Sequence, residues 1–327
     1  MNRFEFNTGD HKEEEEKVLV GRSYGKEVLY RFRKNKGAWI SFFIIILLIV
    51  IALAAPAVSS YSYKEVHSEY SNLPPRIPGL EKLGIFDGVS HGQNMYEAKN
   101  CTDKYFFFGT DNLGRDIWTR VWEGTRISLL IAALAVIIDV CIGVIYGLVS
   151  GYFGGKVDAV IMRIADVQLS FPSMLIALFI MSVFGRGVGK LLIALTMVGW
   201  VTYARTVRGE TLSVKKMEYV EAARTIGLPN RIIIIKHVLP NVINSIIVLA
   251  TIQIGSFILT EATLSFLGVG VPITQPSLGL LVKTGFDVLF SGLWWASVFP
   301  GLYIMLIVFG INLLGDFLRD ELNPNLK

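Results

Sequence analysis

The sequence predicts an all-α, polytopic membrane protein of about six transmembrane helices, and three observations carry that prediction. Of its 327 residues 52% are hydrophobic and only 18% charged, with a mean hydropathy of +0.51, which is more apolar surface than one soluble core absorbs. Six apolar stretches approach the ~20 residues that a helix needs to cross a bilayer. Lysine and arginine gather before the first of these stretches and again between the fourth and fifth, an asymmetry that marks the cytoplasmic side.

Taken in order, residues 1–37 form a cytoplasmic tail whose acidic run Glu13 to Glu16 is a solvated face and whose approach to the membrane carries Arg22, Lys26, Arg31, Arg33, Lys34 and Lys36. Residues 38–58 form the first span. Ala55-Pro56-Ala57 at its end mimics a signal-peptide cleavage site, but the apolar run is too long and starts too late, so an uncleaved span is expected. Residues 59–127 form an extracytoplasmic loop and interfacial segment in which both signs of charge are mixed, and residues 128–318 the transmembrane core.

Within that core, spans are expected at 128–150, 158–184, 191–206, 238–267 and 293–318. The third carries Asp158, Arg163 and Asp166 in its first half, which places that half at the inner interface and starts the span proper near Pro172. The glycine-rich GRGVGK at 185–190 has Phe184 where a phosphate loop needs its first glycine, so it reads as a tight turn. The loop 207–237 is cytoplasmic and strongly basic, and residues 319–327 return the carboxyl end to the same side as the amino end. Trp39 at an inner boundary and Trp118, Trp122, Trp294 and Trp295 near outer ones are expected as interfacial aromatic anchors.

Composition also excludes function classes. A formal net charge of +4 without a basic face argues against a nucleic-acid partner. Cys101 and Cys141 cannot build a disulfide framework, and His11, His67, His91 and His237 lack the paired spacing of a metal site. Neither a nucleophile with its base nor a metal cluster can be assembled, which disfavours a membrane-embedded hydrolase.

The most informative stretch is EYVEAARTIGLPNRIIIIKHVLPN, residues 218–241. Tyr219, Ala223 and Ile226 fall at helical spacing on one face, Ser213 is positioned to cap the upstream end, and Gly227 followed by Pro229 is a strong helix stop. Adjacent Ala222 and Ala223 allow another backbone to approach closely, and Glu221 suits the positive end of the helix dipole. Asn230 is positioned to cap the next helical run, and Leu239-Pro240 closes the segment. From spacing alone, a docking element for a cytoplasmic partner and an ordinary amphipathic connector are equally open.

The order of Glu221, Ala222, Ala223, Gly227, Leu239 and Pro240 resembles the EAA signature of membrane permease subunits of ATP-binding cassette (ABC) importers. FGTDNLGRDIWTRVWEGTRISL at 108–129, GYFGGKVDAVIMRIADVQLSFPSMLIAL at 151–178, LTEATLSFLGVGVP at 259–272 and the carboxyl end from residue 299 are similar to the second permease subunit of the oligopeptide and dipeptide branch. His237, where the broad signature has an aliphatic residue, is similar to that branch too, whereas the outer loop 59–108 is longer than a minimal member's.

The resemblance implies a binding-protein-dependent type I importer in a prokaryotic inner or plasma membrane. This non-catalytic subunit would pair with a homologous second permease and sit in lipid. It would couple through the EAA loop to two cytoplasmic ATPase subunits that bind the ATP and magnesium, and receive peptide from an extracytoplasmic solute-binding protein. The segment from Thr110 to Trp122 would then be either that protein's contact surface or an interfacial lid. This chain would hold no cofactor. Nickel and other small solutes are alternative substrates within the family.

Two acids stand inside predicted spans, where each costs several kcal/mol unless it faces protein or water. Asp139 and Glu261 would line the cavity or pair with an arginine or backbone, and the structural role is favoured for Glu261. They also keep open a reading of a different class, a stand-alone ion-coupled secondary transporter.

Overall fold

The structure, a computed structural model, describes residues 36–58, 61–76, 89–90, 93–94, 99–100 and 105–322. Expectations for His11, the acidic run Glu13 to Glu16, His91, Cys101 and the last five residues lie outside the described residues. Helices dominate: α1 (Lys36–Val58), α2 (Ile117–Phe153), α3 (Gly155–Leu169), α4 (Ser173–Phe184), α5 (Val188–Val214), α6 (Glu218–Thr225), α7 (Asn230–Ile233), α8 (Leu239–Phe266), α9 (Leu278–Phe286) and α10 (Trp295–Leu322). Between α1 and α2 lie two-residue strands, β1 (Val89–Ser90) and β2 (Gln93–Asn94), paired antiparallel.

Among the described residues, α2, the continuous 37-residue run Asn230–Phe266 and α10 are each long and apolar enough to cross a membrane. The third predicted stretch is two helices, α3 and α4, bent by 82° and meeting those criteria only together. The bend has a local cause. Pro172 occupies the N-cap of α4 with φ −56° and ψ 127°, and the residue before a proline is steered away from helical geometry. α5 carries Lys190, Arg205, Arg208 and Glu210, so its apolar middle is shorter than a full crossing. α1 has 23 residues, a length of about 34 Å at 1.5 Å per residue.

α2 and α5 lie closest to one another, because α2 presents glycine at every fourth position along one face. A Cβ on Gly143, Gly147 or Gly151 would stand 2.4 Å from Tyr203 Cβ, 2.7 Å from Ala204 O and 2.7 Å from Thr211 Cβ respectively, all on α5. Spacing of this kind lets two helix backbones approach where dispersion, rather than water exclusion, provides the attraction.

Two apolar clusters stack along the bundle. The larger joins α2, α4, α5, α8, α9 and α10 through residues such as Ile131, Leu195, Ile258, Leu264, Leu278 and Ile307. The smaller collects Leu148, Tyr152, Val207, Val242 and Ile246 around the connection from α5 to α8. Trp122 and Trp295 belong to the packed interior and not to a lipid-facing belt, which corrects the expectation for those two; Trp39 is exposed and Trp294 marginally so.

Candidate functional site

The connection between α5 and α8 folds into a short helix braced on one side only. Met217 takes the N-cap of α6, and Ser213 does not cap it: its hydroxyl turns back to Gly209 O within α5. Glu218 and Glu221 occupy the first turn, where carboxylates suit the helix dipole. The end is a Schellman motif, with Leu228 N–H donating to Ala223 O at 3.2 Å and Gly227 N–H to Arg224 O at 3.0 Å. Gly227 carries the φ of +84° that this closure requires, and the space beside it is open.

One face of α6 is an anchor. Val220 and Ala223 are buried against the inner cluster of Leu148, Tyr152, Val214, Ile233 and Val238. The expected common face of Tyr219, Ala223 and Ile226 is therefore split. Ala223 is buried, while Tyr219 is exposed and Ile226 is 80% exposed. The adjacent alanines divide as well, since Ala222 is exposed beside Glu221. Glu218, Glu221, Ala222, Tyr219, Ile226 and Leu228 thus form a mixed acidic and apolar surface that is exposed among the described residues.

Polar ties brace the helix to the bundle. Tyr152 Oη donates to Asn230 Oδ1 at 2.9 Å, Lys215 Nζ donates to Gly151 O at 2.8 Å, and the Arg224 guanidinium stands 5.8 Å from the Tyr152 ring. Asn230 is therefore a tether to α2 and not a cap; Pro229 takes the N-cap of α7. Behind these contacts Arg208 forks onto Asp158 at 2.5 and 2.6 Å, tying α5 to α3. Asp166 pairs with Arg205 across the same two helices. Tyr152, Lys215 and the Arg208–Asp158 pairing lie tens of residues apart in sequence, with no local pattern linking them.

Leu239 and Pro240 do not end the segment. α7 runs through a π turn at Ile234–Val238 straight into α8, and Pro240 stands in its first turn. A proline cannot donate to the helical ladder, and a wider turn just before it absorbs the missing bond. Leu239 packs at the margin of the inner cluster, while Pro240 is exposed.

The segment before α2 behaves in the opposite way. In the stretch from Phe106 to Arg120 the charged side chains and the threonines turn inward. The Asp111 carboxylate accepts from Leu113 N and Arg115 N at 2.9 Å each, from Arg115 Nε at 2.8 Å, and also pairs with Arg120. Asp116 caps α2, accepting from Thr119 N at 3.0 Å and Trp118 N at 3.3 Å. Burial pushes its carboxyl above the usual range, and the bonds from Thr119 and Trp118 pull it back. Phe108 stacks on Phe299 at 4.1 Å, and Trp295 Nε1 donates to Thr110 O at 3.1 Å. Asn112 and Leu113 alone of residues 108–117 are exposed.

The two intramembrane acids differ as sharply. Glu261 is fully buried and accepts from Ser128 Oγ at 2.9 Å and Ser265 Oγ at 2.7 Å, serine hydroxyls in place of the expected arginine or backbone group. Those serines accept in turn from Leu278 N and Val271 N, so the network joins α2, α8 and the approach to α9. Asp139 is also fully buried, but neither of its oxygens has a hydrogen-bond partner among the described residues. It occupies the space left by Gly199 of α5, where a Cβ would stand 1.7 Å from Asp139 Oδ2.

Comparison with known proteins fits this arrangement. Residues 143–327 match the family described as binding-protein-dependent transport system inner membrane component, and residues 23–75 match the N-terminal TM domain of oligopeptide transport permease C. The chain is 38% identical over 321 residues to the oligopeptide transport system permease protein OppC of Bacillus subtilis, covering 98% of this chain and 95% of that one. It is 37% identical over 324 residues to the dipeptide transport system permease protein DppC of the same organism, covering 99% and 93%. Over 242 residues, 71% of this chain and 80% of the relative, it is 40% identical to the glutathione transport system permease protein GsiD of Pectobacterium atrosepticum. The chain belongs to the binding-protein-dependent inner membrane components, as an ABC importer permease of the peptide, dipeptide and glutathione family.

Proposed function

We propose that this chain forms half of the translocation pathway of a short-peptide importer and that α6 is its coupling helix. The observation that carries the coupling reading is the two-sidedness of α6, braced through Val220 and Ala223 while Glu221, Ala222 and Ile226 face outward. A helix gripped by the ends of α2, α5 and α8 moves with them, so a partner that pulls on its outer face moves the bundle. Two cytoplasmic ATPases that bind ATP and magnesium are the partners this surface suits, and the chain itself performs no ATP chemistry. A second, homologous permease completes the pathway, and an external binding protein delivers the substrate. Peptide is favoured because the named relatives carry oligopeptides, dipeptides and glutathione.

In this reading α1, α2, α4, α5, α8 and α10 cross the membrane with both termini cytoplasmic, α3 lies at the inner interface, residues 128–318 hold the permeation core and residues 59–127 the external segment. Glu261 is a structural acid, holding α2, α8 and α9 together through its serines. Asp139 closes the contact between α2 and α5 rather than lining the cavity.

The test uses Glu221→Lys and Gly227→Val in the assembled importer. Each should leave the chain inserted at normal abundance while labelled-peptide uptake and substrate-stimulated ATP hydrolysis fall at least about tenfold. The glycine variant acts through backbone strain of about 1–2 kcal/mol in the left-handed region, confined to the end of α6. Normal transport by both variants would reduce α6 to a connector. Transport by the isolated chain on an ion gradient alone would replace the importer reading altogether.

A further inference from the structure

Where α5 ends, α8 begins and α10 ends, the three helices enclose a cavity of about 410 Å³, within the roughly 300–1,000 Å³ range of small-molecule sites. It lies at the same end of the bundle as α6. Its lining is unusual for so apolar a chain. Glu210 comes from α5, Arg319 from the last turn of α10, and Asn241, Asn244 and Ser245 from the first turns of α8. Val248, Leu249 and Ile252 of α8, with Thr206 of α5 and Leu322 of α10, supply the remaining wall.

Glu210 and Arg319 share this cavity without neutralising each other. Among the described residues no ion pair joins them: Glu210 accepts from Ser245 Oγ at 3.0 Å through one oxygen, and Arg319 has no ion-pair partner. Asn241 donates through its amide nitrogen to His237 O at 2.6 Å, which leaves its carbonyl oxygen available. The site therefore offers an anion, a cation and two side-chain amides lining one open cavity. An ammonium would be drawn to Glu210, a carboxylate to the planar donors of Arg319, and a peptide group to the amides.

We propose that this cavity is a binding site for the two charged ends of a short, unblocked peptide, at the cytoplasmic mouth of the pathway. The proposal rests on the peptide-importer reading above and deepens it. A single cation or anion would satisfy only half of the lining, whereas a zwitterion with both termini free satisfies both charges. Peptide that accumulates inside would occupy the site and hold the transporter at the end of its cycle.

The experiment reconstitutes the assembled importer with its ATPase face outward and measures binding of labelled dialanine, N-acetyl-dialanine and dialanine amide at that face. The unmodified importer should bind the free dipeptide at least about tenfold more tightly than either blocked form. Glu210→Gln should abolish the penalty for N-acetylation alone, and Arg319→Gln the penalty for amidation alone. Because each result is a ratio between ligands on one protein, a loss of folded material does not imitate it. Equal binding of free and blocked peptides, or unchanged ratios in both variants, would overturn the site. ATP-driven uptake of the same dipeptide is measured in parallel with the binding protein supplied. Uptake without end discrimination removes this inference alone. End discrimination without uptake keeps the site and removes the proposed import function.

Discussion

The segment before α2 and the loop before α8 are both rich in charged residues, yet they use them in opposite ways. Before α2, Asp111 absorbs Arg115, Arg120 and two backbone amides, Asp116 caps a helix, and Phe108 and Trp295 close over them. Before α8, α6 turns two small apolar side chains toward the bundle and leaves Glu218, Glu221 and Ile226 outward. The first region is internally satisfied and stabilises the fold; the second has binding capacity left over. Richness in charged residues therefore does not mark an interface by itself, and what matters is how many of those groups the fold has already paired.

The comparison is broken most forcefully at Asp111. Asp111→Ala strands the buried Arg120 guanidinium, and removing one partner of a buried pair costs about 3–5 kcal/mol. Membrane-inserted abundance of the chain should fall steeply, read by quantitative immunoblot of membranes. Normal abundance with defective delivery of substrate would instead make the outer cap an interface. The two alanines of α6 give a finer contrast. Ala223→Leu overfills the inner cluster at a cost of about 1–3 kcal/mol and should lower thermal stability in detergent. Ala222→Leu should leave stability unchanged and reduce ATPase stimulation, because its side chain points away from the cluster. The smallest effect is expected at the cap of α2, where Asp116→Ala should cost about 1 kcal/mol and leave the ATPase response intact.

Much of the helical architecture is legible in the sequence, because long apolar runs obey the bilayer and not the details of packing. The break near Pro172 and the stop at Gly227 are legible too, since backbone geometry at proline and glycine is local. The caps were not. Ser213 and Asn230 have the right chemistry at the right spacing, but Ser213 finds a carbonyl in its own helix and Asn230 finds the Tyr152 hydroxyl, 78 residues away in sequence. The burial split between Ala222 and Ala223 was likewise hidden, because it depends on which neighbours pack on α6. The same holds for Trp122 and Trp295, whose aromatic character suits a membrane interface and a packed interior equally well.

The central claim is that the exposed face of α6 touches the ATPases. A photo-crosslinking residue at Ile226, 80% exposed, can be compared with one at Phe290, 93% exposed and at the opposite end of the bundle, between α9 and α10. The two positions are similarly accessible, so only location separates them. In the assembled importer, Ile226 should yield adducts with an ATPase subunit, Phe290 should yield none, and ATP should change the yield at Ile226. Absence of an ATPase adduct from Ile226 in complexes that retain both ATPases would contradict the account.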